Sequence, residues 1–511
     1  MRRLAQPTAP LLLGLFLSIA APACGGPDAN TSGRAPIADK WLTRAKAAYR
    51  SGDLDDASTS IDGALKSAPK DPETRLLGAR IALAKLEFNE ALKLTEGLPG
   101  SDAHGVRGRA YWYAGDIEKA ADELEEQLRD PQVKDTWAKE VAKLARRGQG
   151  RHPFAIEGAL VTAVEMPQAG PALVVPCELE GERILALVAT AMGELMIDSS
   201  NRKEPAWVNL RFGDKLEVKD VPALTTDLSN ISRQLGAPIK ALIGVNALRH
   251  MHVTFDRRGS QFVVRKNDPP APPDASKVPL FYVRGGGMMM RAAVSNKDDG
   301  SGLLFVDSSQ FYPLALDDGM LKRSGADLAS FRNEPGAPPS WKLGMLPYFK
   351  LGTLDLPMVP AMQGAPLGEY KNNFDVDLQG VVGAGLLSAF RVTFGEDGRW
   401  LWLEVDPSMV APQGSTQGPA GPQTQGPAGP QGPAPLPPPG GPGPGPGPGT
   451  GPAPIGPAPI GPAPAGPPKP GGKPAPAPKP LAPDAAKVEP TPAPPAAKTN
   501  APKTESKGAA K

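Results

Sequence analysis

Apolar and small residues recur at helical spacing through the first third of the chain. After Gly52-Asp53-Leu54, Ile61 lies four residues after Ala57, Ala64 and Leu65 lie three and four after Ile61, and Pro69 closes the unit. Ala79, Ala82, Phe88, Ala91 and Leu98 repeat the scheme, and Gly108, Tyr111, Gly115-Asp116-Ile117, Ala120, Leu124 and Leu128 repeat it again. The stretch 132–147, rich in Lys, Ala and Arg, predicts a closing helix with one polar face. From Phe154 the pattern changes to short apolar runs and alternation. Residues 172–179, 183–188 and 195–197 predict three strands, the first two joined by a turn at Glu180-Gly181. An apolar run at 239–248 leads into 252–256 and then into 261–264, and His250 and His252 would alternate along a strand entering 252–256. The same order returns later, with 288–294, a turn at 296–300, 303–306 running into Asp307-Ser308-Ser309, then 380–387, 390–394 and 400–403.

The helical units resemble tetratricopeptide repeats. Gly52 and Gly115 stand at the turns, where the middle unit has Leu86, and Ala57, Ala91 and Ala120 would let paired helices approach closely. The resemblance implies an all-α module over 37–147, stacked because one helix pair cannot bury its apolar face alone. Two readings stay open: a concave surface for a peptide or protein partner, and a spacer packed on the next domain.

The repeated strand pattern resembles the retropepsin-like aspartic proteases. In that family an apolar pair and a glycine, here Leu242-Ile243-Gly244 and Val381-Val382-Gly383, precede a helix and a closing hairpin. The resemblance implies an all-β pair of tandem lobes, 152–268 and 276–407, in the pepsin-like arrangement. It also implies an acid motif after the second strand of each lobe. The first lobe has Ala189-Thr190-Ala191 there, and the second has Asp307-Ser308-Ser309. Aspartic proteolysis needs two facing carboxylates that share a proton. Ala189 cannot titrate, so Asp307 is a candidate catalytic acid without its like-charged neighbour. Asp198, in Asp198-Ser199-Ser200, is the alternative partner, although the strand count places it at the end of the third strand. Two chains could also bring two copies of Asp307 together.

Residues 1–23 resemble a bacterial lipoprotein signal: Arg2-Arg3, an apolar stretch over 11–21, and small residues before Cys24. The resemblance implies acylation of Cys24, anchorage to a membrane through it, and a place in the cell envelope. Gly25 after Cys24 favours the outer membrane, facing the periplasm. Residues 24–36 would be a linker. Cys177 then has no partner and reads as a buried thiol.

Composition bounds the rest. The chain has 511 residues and a net charge of +2, which argues against nucleic acid as a partner. Four histidines and two cysteines leave little for a metal centre, and no phosphate loop, dinucleotide fingerprint or nucleophile elbow occurs, so no metal and no cofactor is expected. Arg284-Gly285-Gly286-Gly287-Met288-Met289-Met290 reads either as a mobile contact turn or as a loop entering a core strand. Of 63 prolines, 33 fall in 412–511, a stretch with no aromatic residue. Residues 408–511 therefore predict a disordered Pro-rich tail ending in Lys503, Lys507 and Lys511, which could reach a cell-wall polymer or have no partner.

Three functions follow as expectations. The first is an envelope protein that binds or scaffolds polypeptide through the repeats and a catalytically degenerate cleft. The second is an aspartic endopeptidase using Asp307 with Asp198 or with a second chain. The third is a structural envelope spacer. Whether the chain is an enzyme is left open by these residues, with the missing acid weighing against it.

Overall fold

The computed structural model describes residues 34–405 apart from 201, 298–299 and 334–337. The expected signal, Cys24 and the tail from 408 lie outside the described residues. Seven helices come first: α1 (Pro36–Arg50), α2 (Leu54–Ser67), α3 (Pro72–Ala84), α4 (Phe88–Thr95), α5 (Ser101–Ala114), α6 (Ile117–Leu128) and α7 (Thr136–Arg146). Aspartates start several of them. Asp53, Asp71, Asp116 and Asp135 each accept a hydrogen bond from a backbone N–H in the first turn of α2, α3, α6 and α7. Pro36 and Pro72 supply a preset φ at the first turns of α1 and α3. The three pairs turn through a left-handed residue: Gly52 (φ 72°), Leu86 (φ 59°) and Gly115 (φ 84°). Leu86 takes a conformation that its Cβ disfavours. It is 5% exposed and packs into the core of the β lobes, which offsets that strain.

The β-rich part holds two copies of one plan. In the first, the strands are β1 (Ala155–Gly158), β2 (Val161–Glu165), β3 (Val174–Leu179), β4 (Glu182–Val188), β5 (Leu195–Asp198), β6 (Ala206–Phe212), β7 (Leu216–Thr226), β8 (Ile239–Ile243), β9 (Thr254–Asp256) and β10 (Gln261–Arg265). Helices α8 (Ser229–Leu235) and α9 (Val245–His250) flank β8. The second copy has β11 (Ser276–Val283), β12 (Gly287–Ala293), β13 (Ser301–Asp307), β14 (Leu314–Leu316), β15 (Arg332–Asn333), β16 (Lys342–Leu351), β17 (Leu354–Gln363), β18 (Leu378–Gly383), β19 (Phe390–Gly395) and β20 (Trp400–Val405). Its helices are α10 (Asp318–Arg323), α11 (Leu367–Asn373) and α12 (Ala384–Leu387).

Six strands close a ring in each copy: β7-β5-β8-β4-β3-β6 and β17-β14-β18-β13-β12-β16. The parallel and antiparallel pairings follow the same cycle in both, with β4–β8 and β13–β18 parallel and the β6–β7 and β16–β17 hairpins antiparallel. A shared antiparallel sheet, β2-β10-β9-β19-β20-β11, joins the lobes. At its centre Thr254 pairs with Thr393, and their buried hydroxyls lie 2.8 Å apart. His250 ends α9 and His252 follows it in a turn, so the two do not alternate along a strand as the sequence pattern suggested. Met288, Met289 and Met290 are buried in β12, which makes that segment a core strand. Cys177 is buried in β3, and burial pushes its thiol up to about 12.

The helices pack on both lobes. Trp207 of β6 donates to the Leu144 carbonyl of α7 (2.9 Å). Tyr49, Ile61 and Ile81 of the first helices share an apolar cluster with Phe281, Leu303 and Phe305 of the second lobe. Arg50 at the end of α1 bonds Asp377 (2.8 Å), whose backbone N–H donates to the Arg50 carbonyl.

Candidate functional site

The ends of β4 and β13 face one another at the centre of the lobe pair. Val188 and Val306 hold the same place in the two rings, opposite Ile243 and Val382, so Ala189 and Asp307 are equivalent. The next residues lock the two ends together reciprocally. Thr190 N–H donates to Ser308 Oγ (3.0 Å), and Ser308 N–H donates to Thr190 Oγ1 (3.0 Å). Each hydroxyl then donates across the seam, Thr190 to the Val306 carbonyl and Ser308 to the Val188 carbonyl, both at 2.8 Å. Four hydrogen bonds among buried groups give this seam a single geometry. Gly244, which follows β8, and Gly383, which ends β18, are also needed. A Cβ would sit 2.1 Å from the Glu194 carbonyl oxygen at Gly244, and 2.0 Å from that of Tyr312 at Gly383.

The chemistry at the two ends is unequal. Ala189 is fully buried among Leu187, Leu242, Leu228 and Ile231, the last two brought by α8 and the residue before it. Asp307 is 2% exposed. Its Oδ1 accepts from the Ser309 backbone N–H (3.0 Å) and hydroxyl (2.5 Å), and its Oδ2 from Tyr370 (2.9 Å) and Gln310 (3.5 Å). Burial pushes its pKa up, and these four donors, which favour the charged form, pull it back. Tyr370 comes from α11, which holds the same place between β17 and β18 as α8 holds between β7 and β8. So both helices cover the seam, one with apolar groups and the other with a hydroxyl on the acid.

Asp198 ends β5 and is tied to Ser200 Oγ (2.5 Å) and Lys240 Nζ (3.2 Å) within the first lobe. The β5–β8 and β14–β18 registers make it the counterpart of Asp317, which caps α10. The partners of Asp307 all lie in the second lobe. The structure thus faces Ala189, and not Asp198, toward the Asp307 seam. Sequence reasoning missed Tyr370 because a lone aromatic in the polar run Glu369-Tyr370-Lys371 carries no local signal of what it touches. It also missed Glu194, 3% exposed, which accepts from the indoles of Trp112 (3.1 Å) and Trp137 (2.8 Å) at the contact between helices and first lobe. Burial raises the Glu194 pKa.

A cavity of about 360 Å³ opens where the helices meet the second lobe. Tyr49, Arg80 and Arg109 of α1, α3 and α5 line one side, and Arg284 and Asp375 line the other. Among the described residues no group of three or more His, Cys, Asp or Glu is arranged to hold a metal ion, and no helix is long and apolar enough to cross a membrane.

No protein-family model matches the chain, and no curated protein matches it. Similar solved structures cover parts of it. The Arabidopsis OM64 TPR domain is 20% identical and covers 22% of this chain and 95% of its own, at a TM-score of 0.21. Basic 7S globulin from soybean is 9% identical and covers 50% and 97%, at 0.33. A retropepsin-like aspartic protease from Rickettsia conorii is 18% identical and covers 26% and 95%, at 0.19.

Proposed function

We propose that this chain is a non-proteolytic scaffold that binds polypeptide, built from tetratricopeptide-like helices on a degenerate, pepsin-like pair of lobes. One observation carries the loss of catalysis: Ala189 stands where a second carboxylate would have to face Asp307. A lone buried acid has no like-charged neighbour to split its pKa from, and so lacks the acid and base pair that activates water and protonates the scissile carbonyl. The burial of Asp307 beneath Tyr370 supports the same reading, since a substrate carbonyl has to come within hydrogen-bond reach of the acid. The docking of the helices on both lobes supports a scaffolding role, because it gives the repeats a rigid base.

The test is cleavage of a peptide library by the purified full-length chain from about pH 3 to about pH 8, the range in which a carboxylate pair acts. The expected result is no cleavage above that of Asp307→Asn. Cleavage lost in Asp307→Asn would overturn the proposal and make Asp307 a catalytic acid. Retained peptides from the same library would then identify the bound polypeptide. Anchorage through acylated Cys24 at the bacterial envelope belongs to the same proposal. Metabolic labelling with a fatty-acid probe is expected to mark the wild type and not Cys24→Ala; label in both would refute it.

A further inference from the structure

We infer that the cavity between the helices and the second lobe is a binding site for a small zwitterion, a molecule carrying an ammonium and a carboxylate a few bonds apart. This does not rest on the polypeptide-binding reading. The cavity volume of about 360 Å³ lies in the range of small-ligand sites, roughly 300–1,000 Å³. Four of its charges are already spent on each other. Arg80 pairs with Asp102 (2.9 Å), and the nearly buried Arg109 pairs with Asp135 (2.5 Å) while its guanidinium lies over Trp137. Three charged groups at the lining remain, Arg284, Lys134 and Asp375, all exposed to the cavity and its solvent and none in an ion pair among the described residues, although the charge of Arg284 also acts on Asp135. A fourth polar group lines the cavity unpaired: Gln127 is 8% exposed, and its buried Oε1 accepts no hydrogen bond.

These groups ask for a ligand of two signs. Arg284 and Lys134 offer donors to an anion, and a guanidinium suits a carboxylate in particular. Asp375 and Gln127 offer acceptors to an ammonium. A ligand carrying both charges engages Arg284 and Asp375 together, where an anion alone or a cation alone engages one of them.

A free amino acid and the ends of a very short peptide share this chemistry, and the test separates them. The full-length chain is titrated calorimetrically with the common free amino acids, then with di- and tripeptides. Saturable binding by a free amino acid, or by short peptides alone, supports the site and names its source. For the binder, amidation of the carboxylate and acetylation of the amine are each expected to weaken affinity at least tenfold. Arg284→Gln and Asp375→Asn are expected to do the same with the melting temperature held. No saturable binding up to about 10 mM overturns the inference. So does binding that needs only one of the two charged groups, or that is unchanged in both variants.

Discussion

Asp307 is held by hydroxyls and amides: among the described residues Ser309, Gln310 and Tyr370 supply the bonds it accepts. Burial raises its folded pKa, so in the window between the ordinary carboxylate value and the raised one the folded chain keeps a proton that the unfolded chain has lost. Stability therefore rises as pH falls through that window and is lowest above the folded pKa. Asp307→Asn removes this contribution. Relative to wild type, the variant is expected to gain urea stability on going from about pH 4 to about pH 8; a difference that stays flat would mean that Asp307 ionises normally. The seam beside it predicts a larger effect. Thr190→Val leaves the Ser308 N–H without its acceptor and the Val306 carbonyl without its donor, both in the interior. The expected loss is about 2–4 kcal/mol in chemical denaturation, from two buried groups left unpaired. Ala189 and Asp307 were readable as equivalent from the chain alone, because strand spacing counts residues. The hand of Tyr370 on the acid was not, because it comes from a helix 63 residues away along the chain.

Elements show where local rules and packing disagree. The helix starts obey local rules: each aspartate cap satisfies a backbone N–H within its own turn, so residue order is enough to find it. Leu86 breaks the rule, since a turn filled elsewhere by Gly52 and Gly115 here keeps a leucine at positive φ. Only the lobe core that receives its side chain explains it. The turn before β12 is the converse case. Gly285 sits at φ 79°, and a Cβ there would lie 2.3 Å from the Tyr113 ring. Gly285→Ala is accordingly expected to cost about 1–3 kcal/mol, read as a lower melting temperature. An unchanged melt would mean that the turn is loosely held against α5. The glycine run was visible as a run, but either a mobile turn or a tight one could have used it.

At the scale of the whole molecule the helices and lobes form a shared interior. Glu194 sits between them with an indole N–H on each carboxylate oxygen, and Arg249, buried beside it, donates to the Tyr113 carbonyl (3.3 Å). Glu194→Ala would strand both indoles, so the helices are expected to loosen from the first lobe and to become cleavable near 147–153 in limited proteolysis. Resistance equal to wild type would argue that other contacts suffice. For the same reason 152–405 expressed alone is expected to aggregate, since it bares Trp207, Phe281 and Leu303. A soluble monomer would show the lobes to be independent. Sequence by itself determined the order of helical and β segments, the duplication of the strand pattern and the absence of an acid at position 189. Each of these is a matter of periodicity or of residue identity, which the chain carries locally. Tertiary structure alone decided that the helices dock on both lobes, that Tyr370 of α11 reaches Asp307, and that Arg284, Lys134 and Asp375 line one cavity. Those facts depend on which faces remain apolar after each element has formed, and burying them brings together residues that no spacing along the chain relates.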